Sequence, residues 1–299
     1  MAVFGFDLPS RLKWLEASPE GRDWLQQLPS HIDACLHRWA LRLDRPYEQS
    51  YVSVVFPATT ADGSSAVLKM QFPHRECEHE AEALRRWGGH GAVQLLDSDP
   101  RLNALLMERC EPGDHLSTVK PDAALEVLTE LLPRLWVDAG EPFVSLREEA
   151  AGWAEHLPPP WERAGRPFET ELLDAALGAL AALQKSQGLQ VLVHQDLHGD
   201  NVLRAAREPW LVIDPKPLVG EREFSLAPIV RAYEFGHSRE RVIERLDKLT
   251  NDLGLNRERT RLWSFAQNAS VGVRRGTRVG GACGDSSMAA ARVMPVGLD

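Results

Sequence analysis

Cysteine is scarce: Cys35, Cys77, Cys110 and Cys283 are spread over 299 residues. No two have Cys-x-x-Cys spacing, so a structural zinc site is not expected. Scattered thiols read as reduced cysteines rather than a disulfide framework. Long apolar runs are absent, and nothing approaches the roughly 18 residues of a membrane span. The opening MAVFGFDLPSRLKWLE lacks the basic start, apolar stretch and small-residue cleavage site of a secretory leader. A cytoplasmic protein with no membrane partner is therefore expected. Positive charge is in deficit: 34 Lys and Arg against 43 Asp and Glu leave −9. Nucleic acid is not expected as a partner, because phosphate backbones are held by Lys and Arg. Internal repeats and long low-complexity tracts are missing too. A Gly-rich phosphate loop is also lacking. Gly88-Gly-His-Gly91 has no Lys-Ser/Thr ending and follows a helical pattern, so it reads as a helix stop.

What is present is ordinary globular composition, 43% hydrophobic and 26% charged. The length fits about two domains or two lobes of one enzyme. The first 40 residues read as short helices punctuated by Pro9, Pro19 and Pro29. Strands are predicted at Tyr51–Phe56 and Ser65–Met70, joined through the turn signal Asp62-Gly63. Cys77–Trp87 is helix-forming, and Ala92–Leu96 and Ala104–Met107 read as two more strands. The polar break Glu108–Gly113 is taken as the link between lobes. Helices follow at Pro121–Trp136, with Pro133 expected to kink or shorten the first, then at Ser145–His156 and Glu169–Gln187. The run Pro158–Pro160 is expected to separate the last two. Val191–His194 and Trp210–Ile213 are short apolar runs. Helix continues to about Ala269, and the Gly/Arg-rich stretch from Val271 to Gly284 reads as loop or tail.

The chemistry concentrates in His194-Gln-Asp-Leu-His-Gly-Asp-Asn201, with spacing His-x-Asp-x-x-x-x-Asn. Asp214 follows an apolar strand, Lys69 lies in Val67-Leu-Lys69, and Glu78, Glu80 and Glu82 follow on the next helix. Phosphoryl transfer needs these residue types. A carboxylate orients the attacking hydroxyl, an amide oxygen and a second carboxylate hold magnesium, and a Lys held by a Glu pairs with phosphate. Asp196 fits the first role, Asn201 and Asp214 the second, Lys69 and Glu80 the third, with Glu78 as second choice.

The chain resembles the aminoglycoside phosphotransferase family, related to protein kinases, and within it the streptomycin 6-kinase/hydroxyurea phosphotransferase branch. The resemblance rests on Val191–Leu203, Pro209–Glu221, Gly91–Leu96 and Asp62-Gly63 to Lys69, and runs from about residue 45 to 270. It implies an α+β, protein-kinase-like fold with a small antiparallel-sheet N-lobe and a larger, mainly helical C-lobe. The implied bounds are 1–107 for a nucleotide-binding lobe, 108–113 for a hinge and 114–299 for a catalytic and substrate lobe. ATP, with GTP left open, and Mg2+ are the implied cofactors. Asp196 resembles the catalytic aspartate, Asn201 and Asp214 the magnesium ligands, and Lys69 the phosphate-binding lysine with Glu80 beside it. Ser53, Glu108 and Cys110 are assigned to the nucleotide site. Asp200, His198, Glu221 and Glu223 are assigned to the substrate. The chain departs from the branch at Gln195, where Gly is usual, and at Ser225, where Asp supports the catalytic loop.

The implied activity is O-phosphorylation of a small hydroxylated cationic antibiotic by a monomeric enzyme. Streptomycin at its 6-hydroxyl is the first acceptor, and resistance by inactivation the outcome. Hydroxyurea or another small-molecule hydroxyl is the alternative acceptor. A pseudokinase-like binding module is the alternative of another class. Several residues also have plain structural readings. His194 reads as a buttress of its loop and His198 as a hydrogen-bonded bystander or substrate contact. Lys216 faces either the site or solvent. Glu221 and Glu223 are either surface charges at a helix start or an acidic lining for a cation. Trp263 is the guess for an aromatic substrate platform.

Overall fold

The computed structural model describes residues 2–3, 6–166 and 168–276, with side chains over 7–166 and 168–270. Two compact units emerge: Met1–Gly113 with Ala205–Leu211, and Asp114–Arg204 with the chain from Val212 onward. No local pattern marks 205–211 as part of the first.

The first unit packs one long helix on an antiparallel sheet. Helix α1 spans Pro19–Trp39, with Pro29 inside it. Two helices occupy this stretch, a 3₁₀ helix at Ser10–Ala17 after Pro9 and α1 opening at Pro19; only the break expected at Pro29 is missing, because packing overrides that proline. An interior Pro costs about 3 kcal/mol. Trp24, Leu25, Leu28, Ile32 and Cys35 are buried along one face, and each large one contributes about 1.5–3 kcal/mol. Ser18 starts the helix by accepting the N–H of Gly21 at 3.0 Å. Strands β1 (Arg42–Leu43), β2 (Ser53–Thr59), β3 (Ser65–Gln71), β4 (Leu95–Asp99) and β5 (Ala104–Glu108) form the sheet, ordered β1-β2-β3-β5-β4. Val54, Phe56, Leu68 and Met70 meet α1 in the core. Helix α2 (Glu80–Trp87) begins three residues later than its composition suggests and stops at Gly88. β4 starts three residues later than the apolar run that predicted it and overlaps it at Leu95-Leu96, with Val93 buried outside the strand.

The second unit is mainly helical. Helix α3 (Pro121–Leu135) holds Pro133 in its last turn and ends two residues after it. Helix α4 (Leu146–His156) opens with a reciprocal capping box between Ser145 and Glu148. The proline run separates α4 from the next long helix, as expected, and itself opens a short helix, α5 (Pro158–Arg163), because the first helical turn has no N–H to lose. Helix α6 (Thr170–Lys185), α7 (Ala227–Val230), α8 (Arg239–Leu253) and α9 (Arg257–Gly276) follow. Helix α9 carries the chain to Gly276, beyond the break expected at Val271. The rest of the Gly/Arg-rich stretch lies outside the described residues. Strands β6 (Gln190–His194) and β7 (Pro217–Glu221) pair antiparallel, His194 opposite Pro217. Leu146, Trp153, Leu180, Val193, Phe224 and Trp263 form the core around them. No described helix is long and apolar enough to cross a membrane.

Candidate active site

In the first unit, strand periodicity puts Lys69 and Gln71 on one face of β3. Both reach Glu80, the first residue of α2. Lys69 Nζ donates to the two carboxylate oxygens of Glu80 at 2.8 and 2.7 Å, and Gln71 Nε2 donates to one of them at 2.5 Å. Lys69 is 6% exposed and Glu80 1%. The helix N-terminus adds its own preference for a carboxylate. Glu80, not Glu78, is thus the partner of Lys69. Ser53 is buried opposite Gln71 at the start of β2. Glu108 ends β5. Its carboxylate accepts from Arg207 Nε and Nη2 at 2.9 and 2.8 Å and from the N–H of Gln94 at 3.0 Å. Arg207 also binds the carbonyls of Gly89 and Ala92. Cys110 is buried, and burial pushes its thiol up to about 12, with Glu108 raising it further and Arg207 opposing.

In the second unit the β6–β7 ladder builds the loop. The N–H of Gln195 donates to the carbonyl of Lys216 at 3.1 Å, extending the pairing beyond His194. That register sets Asp196 beside Lys216, and Lys216 Nζ donates to Asp196 Oδ2 at 2.6 Å. Arg231 Nη2 donates to Asp196 Oδ1 at 2.8 Å. Burial alone would raise the Asp196 carboxyl, but Lys216 and Arg231 overcome it and hold the group well below the usual carboxylate range. Lys216 therefore faces the site. Arg231 is a residue the sequence reading missed. Its one signal is a charge inside the apolar run Ala227-Pro-Ile-Val-Arg-Ala232.

The loop between Asp196 and Asn201 is held by its own polar groups. His194 is 2% exposed. Its Nδ1 accepts the N–H of Asp196 at 3.1 Å, so its Nε2–H donates to the carbonyl of Ile213, also at 3.1 Å. Burial lowers this imidazole to about 4, keeping it neutral, as a buttress must be. His198 caps the 3₁₀ turn Gly199–Asn201, accepting the N–H of Asp200 at 3.3 Å. Gly199 cannot carry a side chain: a Cβ there would lie 2.8 Å from the backbone of Ser117. Asn201 Nδ2 donates to the carbonyl of Asp196 at 2.8 Å, which assigns Oδ1 to the other branch of the amide. The N–H of Ile213 donates to the carbonyl of Asn201 at 2.9 Å, bringing Asp214 into the same neighbourhood. Asp214 has φ 53°, a left-handed conformation that costs a non-glycine residue of order 1 kcal/mol and concentrates at functional sites.

The expected acceptor contacts divide. Asp200 takes a hydrogen bond from Ser117 on its carboxylate and one from His115 Nδ1, at 2.9 Å, on its carbonyl. His198 contacts the loop, with Glu234 at 3.9 Å. Glu221 is fully buried, accepting from Arg259, Trp263 and the N–H of Gly188. It is a structural carboxylate and not an acidic lining, because β7 ends with that side chain pointing inward. Glu223 is half-buried, and its Oε1 accepts from the N–H of Asn256 at 3.4 Å, ahead of α9. Trp263 has no exposure and packs edge-on against Phe224 at 5.4 Å, so it offers no platform.

Ser225 accepts from Trp136 Nε1 at 3.0 Å, and helix α9 braces the loop instead of an aspartate there. Gln267 Nε2 donates to the carbonyl of Gln195 at 3.0 Å, and its Oε1 accepts from Arg231. Among the described residues, no group of three or more His, Cys, Asp or Glu side chains gathers for a metal.

A carboxylate held ionised beside an asparagine and a second aspartate, with a buried Lys–Glu pair on a sheet, is the equipment of phosphoryl transfer. The model of the aminoglycoside/hydroxyurea antibiotic resistance kinases matches residues 38–280. The chain belongs to that family. It is 39% identical to a streptomycin 6-kinase of Streptomyces griseus over 255 residues, 83% of each protein. It is 40% identical to a hydroxyurea phosphotransferase of Kitasatospora aureofaciens over 252 residues, 83% of this chain and 73% of that one. Among solved structures, choline kinase LicA from Streptococcus pneumoniae is similar with TM-score 0.62 at 13% identity, covering 89% of this chain and 96% of that one. A thermostable mutant of aminoglycoside phosphotransferase APH(4)-Ia, in ternary complex with AMP-PNP and hygromycin B, gives 0.59 at 14%, covering 87% and 95%. The kinase-like fold and the phosphotransferase class expected from the sequence are borne out.

Proposed function

We propose that this kinase transfers phosphate from ATP to the 6-hydroxyl of streptomycin and so inactivates the drug. One observation carries the reading. In a chain 39% identical to a streptomycin 6-kinase, Asp196 is held ionised between Lys216 and Arg231. Asp196 orients the incoming hydroxyl. So acidic a carboxylate is a weak base in the ground state. It takes the proton late, as the bond to phosphorus forms and the alcohol acidifies, which suits the loose transition state of phosphoryl transfer.

Lys69, kept extended by Glu80, pairs with phosphate oxygens. Ser53, Glu108 and Cys110 belong to the nucleotide-binding part, read as 1–107 with a hinge at 108–113. Residues 114–299 carry catalysis and acceptor binding. Asn201 and Asp214 are hard oxygen donors and fit Mg2+, an ion commonly held by one or two protein oxygens and completed by phosphate. When bound it offsets the charge on the phosphates. ATP places the reaction in the cytoplasm, and a monomer suffices for it.

Hydroxyurea is the second acceptor, favoured by the 40% identity to its phosphotransferase. Incubation with Mg-ATP and streptomycin, hydroxyurea or choline, with product identification by mass and NMR, tests the reading. Streptomycin 6-phosphate is expected. Product from another acceptor alone would refute the streptomycin assignment. Thermal stabilisation by Mg-ATP with no product from any acceptor would favour a binding module. Asp196→Ala is expected to abolish turnover while ATP still binds.

A further inference from the structure

The turn Val230–His237 is anchored far more firmly than a surface turn requires. On one side Arg231 holds Asp196, and Glu234 Oε1 accepts the N–H of Gly199 at 2.7 Å. On the other, Arg245 of α8, 2% exposed, donates to the carbonyls of Val230, Phe235 and Gly236 at 2.6, 2.8 and 3.0 Å. Burying a guanidinium is costly, and it lowers Arg245 to about 10. Gly236, at φ 89°, allows the chain to reverse, and its N–H closes on the carbonyl of Tyr233 at 2.9 Å. The reversal lays His237 on Tyr233, ring centroids 4.3 Å apart and planes 15° apart. Tyr233 is nevertheless 59% exposed, the exposed large aromatic of the second unit among the described residues. The result is a flat, pre-set aromatic face, fixed by its neighbours to the loop that carries Asp196.

We propose that the Tyr233 face, backed by His237, is the recognition platform for a planar N–C–N group of the acceptor. This rests on the phosphotransferase reading above. Hydroxyurea and streptomycin differ in size and charge but share that group close to a hydroxyl. Hydroxyurea carries the hydroxyl on a urea nitrogen. Streptomycin carries a guanidinium on the ring carbon next to the 6-hydroxyl. A fixed aromatic face stacks on either, since stacking needs only a flat conjugated partner, and a cation adds to it. The low net charge of the chain, −9, favours the cation. Pre-setting Tyr233 on His237 spares the ordering cost of binding.

The experiment compares the full chain with Tyr233→Ala and Tyr233→Phe. Streptomycin affinity is measured by calorimetry in the presence of Mg2+ and AMP-PNP, alongside KM for ATP and Tm. Tyr233→Ala is expected to weaken streptomycin about tenfold, with Tyr233→Phe within about twofold of the parent. KM for ATP and Tm should be unchanged. A streptomycin analogue with amines in place of both guanidines should lose less affinity on Tyr233→Ala than streptomycin does, since it keeps the cation but not the planar group. Equal streptomycin affinity in parent and Tyr233→Ala overturns the platform. So does a Tyr233→Phe as weak as Tyr233→Ala, a matching loss in ATP binding, or a parent that binds no streptomycin. Turnover is read separately. Tyr233-dependent binding without product keeps the platform and sinks the phosphotransferase reading; product with no dependence on Tyr233 does the reverse.

Discussion

Lys216 and Arg231 grip opposite oxygens of one carboxylate, Asp196, at 2.6 and 2.8 Å. The first is carried there by the β6–β7 ladder, whose pairing continues from Gln195 to Lys216. The second is braced by Gln267 of α9. The two cations are why a largely buried aspartate stays ionised, and they make Lys216 accessible to a test.

Lys216→Met removes one of them while burial of Asp196 persists. The Asp196 carboxyl then rises, because the group that lowered it most is gone. In the parent, activity that depends on ionised Asp196 is retained down through the ordinary carboxylate range. In the variant, the acid limb of kcat/KM is expected to move to higher pH, with a lower plateau. An unchanged acid limb in a pH–rate profile would show that Lys216 does not set the charge of Asp196.

The Lys69–Glu80 pair is buried at both ends. Glu80→Ala strands a buried ammonium, and breaking such a pair costs about 3–5 kcal/mol. Glu82→Ala, two residues on and paired to Arg86 at a partly exposed site, should cost at most about 1 kcal/mol. Urea unfolding of the two variants compares them. KM for ATP should rise in Glu80→Ala and stay level in Glu82→Ala.

His194 provides a stability signature in pH. Burial lowers it to about 4, against roughly 6.5 in the unfolded chain. Between those values the unfolded chain binds the extra proton, so stability falls as pH drops from about 6.5 to 4. The loss is on the order of 3 kcal/mol across the window. Urea titrations at pH 7 and pH 4.5 should show this slope in the parent, and His194→Gln should show less of it.

Cys35 and Cys110 are both pushed up to about 12, burial being the first cause in each. Few thiolates form at neutral pH, and the thiolate is the nucleophile. Native protein should therefore modify slowly at these two positions with a thiol-specific disulfide reagent, and fast after denaturation. Peptide mapping assigns the sites. Rapid native labelling of Cys110 would contradict its burial.

Local patterns legible in the sequence were those that short-range physics controls. The Asp62-Gly63 turn lies between two strands that pair in register. Gly88 stops α2, and the spacing from Asp196 to Asn201 fits one 3₁₀ turn with its cap. Other expectations failed where packing outweighed local preference. Pro29 sits inside α1 because the buried face of that helix outweighs the lost hydrogen bond. The prolines at 158–160, by contrast, separate α4 from α6 as expected, and α3 ends two residues after Pro133. Glu221 looked like a surface or acceptor-facing charge. It is interior because three donors from distant elements converge on it.

The residue types of the reaction were fixed by the chain itself: a loop aspartate, an asparagine five residues on, a strand-end aspartate and a strand lysine. Their chemistry follows from atoms and spacing. Which groups attend them was decided only by tertiary structure. Lys216 inward rather than outward, Arg231 and Gln267 as braces, and Tyr233 bare on an anchored turn all depend on contacts between segments far apart in sequence. No local periodicity encodes such contacts, because they form only when separate elements bury their apolar faces together.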